Sequence, residues 1–347
     1  MMRVLHLVDS RADFQSHRCA EHLSRSLGPD AAAELRSVDC HRPRHFLAAL
    51  RQLRQTHDFD LLHAWGTGAL ALAALGTSCR ILYTPPVDIA PRTVRWLRAI
   101  LAYRDIQIIC PSASLHRALV THGVPAENCH VIRPGVDFSR IRRRKDPALR
   151  AALGLADTDY VLLAAGESIP AACHADAVWA AGILHKLDPR YRLLLWGRGD
   201  RLPSILRFHQ QVGEAPLHVA EERLRRSVDF EELLPAADLI VNSATGSVAL
   251  LPLQIAMAAA LPIVSTATYT ASELLEDHHT ALIAPKHSPR LLAQRILQLR
   301  EDSSLQWHLA DKARAEAYEF FPLTRFLDDY RQLYRQLIAP TPQPLAT

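Results

Sequence analysis

The sequence predicts an α/β protein made of two Rossmann-like domains, each containing a doubly wound parallel sheet. Two observations support this prediction. The chain of 347 residues is longer than a single hydrophobic core usually organises. Short apolar runs also alternate with helical segments from end to end, in two series that a charged stretch separates. Continuous apolar runs of this length, each followed by a turn or helix, are typical of buried parallel strands.

The predicted strands fall on both sides of the charged stretch. The first series comprises residues 3–8, 60–65, 80–85, 106–111 and 129–134. The second series comprises residues 160–166, 191–197, 216–220, 238–243, 261–266 and 280–285.

The charged stretch contains Arg140 and an unbroken basic run at 142–145. It is either a solvated linker or a contact for an anionic surface or a polyphosphate. Asp146 and Pro147 then predict the start of a helix, with aspartate as its cap and proline at its first position. The expected organisation is a domain at 1–145, a second domain at 146–320, and a C-terminal helix and tail at 321–347, with that helix crossing back to the first domain.

The composition excludes several classes of protein. Forty basic residues against 36 acidic ones give a net charge of +4, a surplus too small to indicate nucleic-acid binding. The six cysteines form no CxxC pair and have no histidine at metal-ligand spacing, so we expect reduced thiols, a cytoplasmic protein and no metal site. A charge at Asp9 precedes any apolar run of signal-peptide length, and secretion is therefore not indicated.

The segment 91–104 has two interpretations. It combines Trp96 and several aliphatic residues with four arginines, which is the composition of a helix that lies on an anionic membrane. Such a contact would place the protein at the inner membrane face. The alternative is an ordinary domain helix whose arginines face water.

Passages in both halves of the chain carry a family resemblance. The first half contains "DLLHAWGTGALALAAL", "ILYTPP" and "CPSASLHRALVTHGVPAENCHVIRPGVDFSRI", and the second contains "YRLLLWGRGD", "ELLPAADLIVNS", "AMAAALPIVST" and "SELLEDHHTALIAP". Their order and spacing resemble those of the family 4 glycosyltransferases. The resemblance implies the GT-B architecture, in which two Rossmann-like domains face each other across a cleft.

The resemblance also implies a reaction. Family members transfer a sugar from a nucleotide-sugar donor with retention of configuration, so a UDP-, GDP- or ADP-sugar would be a substrate here and no cofactor is expected. The acceptor would be a carbohydrate or a lipid, bound on the side of residues 1–145. The donor would be bound on the side of residues 146–320.

This chain replaces the acids of the family's donor site. Similar sequences have a Glu-x7-Glu pair where this chain has Ser247 and Ile255. A serine can hydrogen-bond a sugar hydroxyl, but an isoleucine cannot hold a ribose. We expect Val248, Leu250 and Leu251 to lie in the same place and to pack a former phosphate site closed.

The cations of that donor site are replaced as well. Glu167 aligns with the arginine, and Ala172 with the lysine, that neutralise the diphosphate in similar sequences. Preorganised positive charge stabilises such a leaving group as its negative charge develops. Arg198, Lys186 and His174 are the candidates for compensation.

Two polar residues of the family pattern remain. His63 matches the first histidine of the family, whereas Trp65 replaces the second and Pro86 replaces a third that is expected near the reacting sugar. His63 is either a substrate-binding or a structural histidine. Glu273 matches a family acid and either binds substrate or caps a following helix.

Two functions therefore stay open. One is a glycosyltransferase with a degenerate donor site, and the other is a noncatalytic member of the fold that binds or regulates a partner. The apolar stretch from Val248 to Ile255 favours the second function, and the ordered set of family passages favours the first.

Overall fold

The computed structural model describes residues 2–28, 31–56, 58–212 and 216–338, and it divides the chain into two compact units. The first unit comprises the described residues of Met1–Gly135 and of Leu323–Thr347, and the second is Val136–Pro322. The predicted boundary at 145/146 falls inside the second unit. The predicted tail beyond residue 338 lies outside the described residues.

Strands and helices alternate through both units. The first unit begins with β1 (Met2–Asp9), α1 (Phe14–Ser26), β2 (Ala31–Val38), α2 (Pro43–Gln55), β3 (Leu61–Trp65), α3 (Thr67–Gly76), β4 (Arg80–Thr84), α4 (Pro91–Leu101), β5 (Ile106–Cys110), α5 (Ala113–Thr121) and β6 (Cys129–Val131). The second unit contains α6 (Pro147–Leu153), β7 (Tyr160–Ala164), α7 (His174–Leu187), β8 (Tyr191–Leu195), α8 (Leu202–Val212), β9 (Leu217–Val219), α9 (Ala220–Leu224), α10 (Phe230–Leu233), β10 (Leu239–Asn242), α11 (Leu251–Ala258), β11 (Ile263–Thr266), β12 (Leu282–Ala284), α12 (Pro289–Glu301) and α13 (Ser303–Phe320). The chain then returns to the first unit with α14 (Leu323–Ile338).

Each unit contains one six-stranded parallel sheet, which confirms the predicted fold class. The strand order is β2-β1-β3-β4-β5-β6 in the first sheet and β12-β11-β10-β7-β8-β9 in the second. The central strands are buried on both faces, as their continuous apolar sequences require. The carboxyl ends of all strands in a sheet therefore meet at one edge.

Strand β2 was missed by the sequence analysis. Its sequence, AAAELRSV, is rich in alanine and carries Glu34 and Arg36, a composition that favours helix. The structure places it at the edge of the first sheet, paired with β1 alone. An edge strand is partly solvated, so its sequence lacks the continuous apolar run by which the other strands were recognised.

The basic stretch between the sheets is bound to the second unit. Arg140 pairs with Asp229 at 2.8 Å, and Arg143 donates to the carbonyl oxygen of Ala259 at 3.2 Å. Lys145 forms an ion pair with Asp238. The following helix begins as predicted, because the Asp146 carboxylate accepts from two amides of its first turn. These contacts do not fit a wholly solvated linker.

Helix α4 uses its apolar side chains within its own unit. Val94 and Leu97 are buried, and Trp96 packs against the same core. Arg92, Arg95, Arg98 and the ring of Tyr103 remain exposed. In the described part of the chain, no helix combines the length and the apolar character needed to cross a membrane.

Candidate functional site

The strand order of the second sheet reverses between β7 and β10. From β7 the sheet continues to β8 and β9 on one side and to β10, β11 and β12 on the other. Ligands of open parallel sheets bind beyond the carboxyl ends of the strands at such a reversal. The loops 165–173 and 243–250 follow β7 and β10 there, and we call the space between them the β7–β10 crevice.

The two crevice loops are hydrogen-bonded to each other. The amides of Thr245 and Gly246 donate to the carbonyl oxygen of Ala171, at 2.8 and 3.3 Å. The hydroxyl of Ser243 donates to the carbonyl oxygen of Ala172 at 2.9 Å. Ala172, the residue aligned with the missing lysine, is buried by this contact. The base of the crevice is therefore closed by hydrogen bonds between the two loops.

The five candidates from the apolar stretch separate into two groups. Leu250, Leu251 and Ile255 are each only 1% exposed and belong to the protein core, so as placed they cannot touch a ligand. Ser247 is exposed and Val248 is half-buried. The structure thus leaves two of the five at the rim of the crevice.

The crevice loops contain no lysine or arginine, and their one charged residue is Glu167, which is half-buried. His174 does not supply a cation either. Its Nε2–H donates to the Ala165 carbonyl oxygen at 3.3 Å, and its Nδ1 accepts from the Ser168 hydroxyl at 3.1 Å. Burial lowers the pKa of His174 to about 4, so the ring is neutral near pH 7.

Lys186 is also ruled out as a compensating charge. It lies twelve residues after His174 in α7, about 18 Å further along the helix axis at 1.5 Å per residue. The helix starts at the carboxyl edge of the sheet, so its last turn lies near the opposite edge. The exposed Lys186 side chain is therefore remote from the crevice.

Of the three candidates for compensation, Arg198 is the charged one that lies at this edge. It follows β8, its Nη2 donates to the hydroxyl of Ser227 at 3.0 Å, and its guanidinium lies 5.1 Å from the ring centroid of Trp196. The carboxylate of Glu221 accepts from the amide of Gly197 at 2.5 Å. Burial raises the pKa of Glu221, although Arg198 opposes that shift.

Gly199 holds the loop after β8 against the loop after β7. Its φ of +113° is a backbone conformation that residues with a side chain rarely adopt. A Cβ atom at this position would also overlap the backbone of Ser168. The Ser168 amide donates to the Arg198 carbonyl oxygen at 2.6 Å. The Ser168 carbonyl oxygen accepts from the Arg201 amide at 2.8 Å. This close approach requires a glycine.

Substitution of Gly199 by alanine is expected to destabilise the second unit by about 3 kcal/mol or more, because it adds a clash to backbone strain. Gly182→Ala is the matched control, since no atom lies within 4 Å of its added Cβ in the interior of α7. That control is expected to stabilise the protein by about 0.5–1 kcal/mol. Chemical denaturation measures both changes, and equal stability of the two variants would contradict this account of Gly199.

A cavity that the sequence analysis missed lies beside the crevice, at the carboxyl ends of β11 and β12. Its volume is about 730 Å³, within the range of small-molecule sites. Tyr269 is 79% exposed at its mouth, and the Lys286 ammonium lies 5.9 Å from that ring. The lining combines hydroxyl and acidic groups with apolar side chains; it includes Thr266, Thr268, Ser272, Glu276 and Asp277, together with Ala267, Ala271, Leu275 and Ile283.

Glu273 directly follows Ser272, which lines this cavity. No helix begins after Glu273 for its side chain to cap. It ends a short 3-10 turn, Ala271–Glu273, and the chain continues to β12 without a helix. The capping interpretation of Glu273 was therefore wrong. Its side chain is half-buried.

The structure also contains a group of potential metal ligands that the sequence did not indicate. The structure brings the thiol of Cys173, the carboxylate of Asp176 and the imidazole of His287 together, with the ligand atoms all within 4.8 Å of one another. His287 is more than a hundred residues from the other two in sequence, so motif spacing could not indicate the group. All six cysteines are free thiols, as expected.

In the first unit, His63 lies in the core. Its Nδ1 and Nε2 are each 2.8 Å from a hydroxyl oxygen, of Tyr334 in α14 and of Thr84 respectively. Its ring stacks on Trp65 with centroids 4.1 Å apart, and burial lowers its pKa well below 6.5. Both ring nitrogens are thus occupied, and His63 as placed offers none to a substrate.

A polar pair at the carboxyl edge of the first sheet was not predicted. Asp9 ends β1 beside Gly66 and Gly68 at the start of α3, where its carboxylate faces the positive end of the helix. His41 Nε2 lies 3.2 Å from Asp9 Oδ1. The aspartate is buried, while His41 is partly exposed.

Two family models match the chain. "Glycosyl transferases group 1" matches residues 163–302, and "Glycosyltransferase Family 4" matches residues 29–140. The structure is similar to that of HepE from Anabaena in complex with UDP and glucose, with a TM-score of 0.81 at 17% identity, covering 97% of this chain and 100% of that one. The two parallel-sheet units define a GT-B protein. By its family matches, the chain belongs to the family 4 glycosyltransferases.

Two curated relatives have similar sequences. N-acetyl-alpha-D-glucosaminyl L-malate synthase of Bacillus anthracis is 24% identical over 233 residues, which cover 63% of this chain and 59% of the relative. D-inositol 3-phosphate glycosyltransferase of Salinispora arenicola is 27% identical over 236 residues, which cover 62% of this chain and 52% of the relative. The match therefore spans little more than half the length of these relatives.

Proposed function

We propose that the protein transfers a sugar from a nucleotide-sugar donor to a carbohydrate or lipid acceptor, with retention of configuration. A UDP-sugar is the first donor to test, because the similar HepE structure holds UDP and glucose. GDP- and ADP-sugars are the other donors considered. The observation that carries the proposal is the presence of anion-binding groups at the β7–β10 crevice despite the missing Arg/Lys pair.

Those groups are two helix N-termini and one arginine. Helices α7 and α11 both begin at the crevice, and neither N-terminus has a side-chain cap, although the Asp176 carboxylate in the first turn of α7 opposes an anion there. The amides and dipole of a helix N-terminus favour a phosphate. Arg198 follows the neighbouring strand β8 and would supply a full positive charge. Together they would stabilise the diphosphate as it leaves.

The sugar and the acceptor have candidate places in separate units. The cavity at the ends of β11 and β12 is lined by hydroxyls that suit a sugar, and β11 is the direct neighbour of β10. Glu273 and Ser247 are further candidates for sugar hydroxyls. In the first unit, Asp9 and His41 would accept hydrogen bonds from an acceptor hydroxyl.

A second candidate function is a noncatalytic binding protein. The observation that favours it is the direct hydrogen bonding between the loops at Ala171–Ala172 and Ser243–Gly246. Ile255, aligned with an acid of the family's pair, is buried in the core beside them. A diphosphate would then have less room and less charge than in an active donor site.

Thermal unfolding with UDP, GDP, ADP and their sugars tests the transferase proposal. A ligand at about 100 times its Kd adds about 2.7 kcal/mol to stability, which is a shift of a few degrees in Tm. We expect one of the three nucleotides to give this shift. We also expect the protein to convert the corresponding nucleotide sugar to free nucleoside diphosphate. Binding without turnover would support the noncatalytic alternative. No shift with any nucleotide would contradict the transferase proposal and would also be consistent with that alternative.

The location of the protein is also a proposal. Six free thiols support a reducing compartment, which is the cytoplasm. Contact of 91–104 with an anionic inner membrane face would rest on Arg92, Arg95 and Arg98, because the apolar side of α4 is already buried. Such binding would be weak and would decrease with salt.

A further inference from the structure

Three potential metal ligands meet where α7 and α12 begin. Cys173 is the N-cap residue of α7, Asp176 lies in its first turn, and His287 precedes α12 by two residues. Their ligand atoms all lie within 4.8 Å of one another. Cys173 and Asp176 are half-buried and His287 is exposed, so an ion from solution has a path to the group.

We propose that Cys173, Asp176 and His287 bind a divalent transition metal ion, with Zn²⁺ as the best-suited ion. Thiolate, imidazole and carboxylate are the three ligand types that Zn²⁺ takes in proteins. A tetrahedral ion with bonds of about 2.0–2.3 Å separates its ligand atoms by about 3.3–3.6 Å. Small side-chain rotations would bring the group from its present spacing to that geometry.

An unsatisfied oxygen supports the proposal independently. Asp176 Oδ2 is buried, and it has no hydrogen-bond partner among the residues that the structure describes. A buried carboxylate oxygen without a partner is costly, and native proteins rarely leave one unexplained. A bound cation would satisfy this oxygen directly.

The local charges favour a cation once the thiol is ionised. Burial and the neighbouring Asp176 carboxylate raise the pKa of the Cys173 thiol, so a bound ion would have to displace the thiol proton, as metal ions do at thiol ligands. The resulting thiolate and the Asp176 carboxylate would carry two negative charges, against about half a positive charge from each of the N-termini of α7 and α12. The nearest basic residue in sequence is Lys286, and its ammonium is directed over the ring of Tyr269.

Three protein ligands leave one position of a tetrahedral ion open. Water or an anion would complete the coordination, as in zinc sites that are not purely structural. The inference does not depend on the proposed transferase activity, because metal binding can be measured without a nucleotide.

Titration of the reduced, chelator-treated protein with Co²⁺ tests the site. A cobalt–thiolate bond gives a charge-transfer absorption band, and Zn²⁺ should displace it in a competition titration. We expect one equivalent of Co²⁺ to produce the band. Cys173→Ser should abolish it, and His287→Ala should weaken binding by more than the roughly 10- to 100-fold that loss of a supporting residue causes.

Two variants serve as matched controls. Cys79→Ser removes another partly buried thiol, and His278→Ala removes another exposed histidine whose backbone has positive φ. Both should bind Co²⁺ as the unmodified protein does, with circular dichroism confirming that each variant is folded. Absence of the band in the unmodified protein, or its persistence in folded Cys173→Ser, would overturn the proposal. Should Cys173→Ser not fold, Asp176→Asn with an unchanged affinity would overturn it equally.

Discussion

Acidification from about pH 7.5 to about pH 5 is expected to lower the free energy of unfolding by about 2 kcal/mol for each of two buried histidines, His6 and His174, and to lower it further through the buried His63. Burial lowers the pKa of His6 to about 3 and that of His174 to about 4, and it lowers the pKa of His63 well below 6.5. The unfolded chain binds these protons near pH 6.5, whereas the folded chain does not. The stabilisation is therefore complete above pH 6.5 and is lost as the pH falls towards the folded-state values.

His174→Gln isolates one of these contributions. Urea unfolding at the two pH values should show that the second unit of the variant loses about 2 kcal/mol less on acidification than the unmodified protein does. His278→Gln, which removes an exposed histidine from the same unit, is the control variant. Identical pH dependences for His174→Gln and the unmodified protein would show that His174 is not held neutral by burial.

Arg150→Ala is expected to cost about 3–5 kcal/mol, the loss typical of removing one partner from a buried ion pair. Arg150 is 1% exposed, and its Nη2 lies 2.5 Å from Asp238 Oδ2. Its other nitrogens donate to the carbonyl oxygens of Ala236, Asp157 and Asp159 at 3.1–3.2 Å. The substitution would leave these acceptors and a buried carboxylate without their main donor.

Lys145→Ala is the control, because Lys145 pairs with the same aspartate from an exposed position. Its side chain is 61% exposed, and exposed ion pairs contribute about 0–1 kcal/mol. Denaturant unfolding of both variants should separate the buried partner from the exposed one. A loss for Arg150→Ala as small as that for Lys145→Ala would mean that the buried network contributes little.

The sequence predicted the fold well where the physical signal was local. Central strands such as β3, β7 and β10 are buried on both faces, and their apolar runs marked them directly. The edge strand β2 has no such run because one side of it is solvated. Asp146 and Pro147 identified the start of α6, since capping depends only on neighbouring residues.

The candidate site was predicted less completely, because it depends on which residues the fold buries or brings together. The resemblance aligned Leu250, Leu251 and Ile255 with a binding segment, but all of α11 is buried, and these residues lie in the core with it. Alignment alone could not show this. The pairing of Asp9 with His41 and the group formed with His287 join distant segments, so no spacing in the sequence indicated them.

Isothermal titration of UDP, or of whichever nucleoside diphosphate shifts the Tm, into the unmodified protein and two arginine variants tests the central claim. That claim is that the second unit binds a diphosphate at the β7–β10 crevice with Arg198 as its cation. Arg198→Ala should weaken binding about 10-fold or more, the effect of losing one hydrogen bond to a charged group. Arg190→Ala, which removes an exposed arginine paired with Asp188 before β8, should bind normally. Equal affinities for the two variants, or no measurable heat with any nucleoside diphosphate, would contradict the claim.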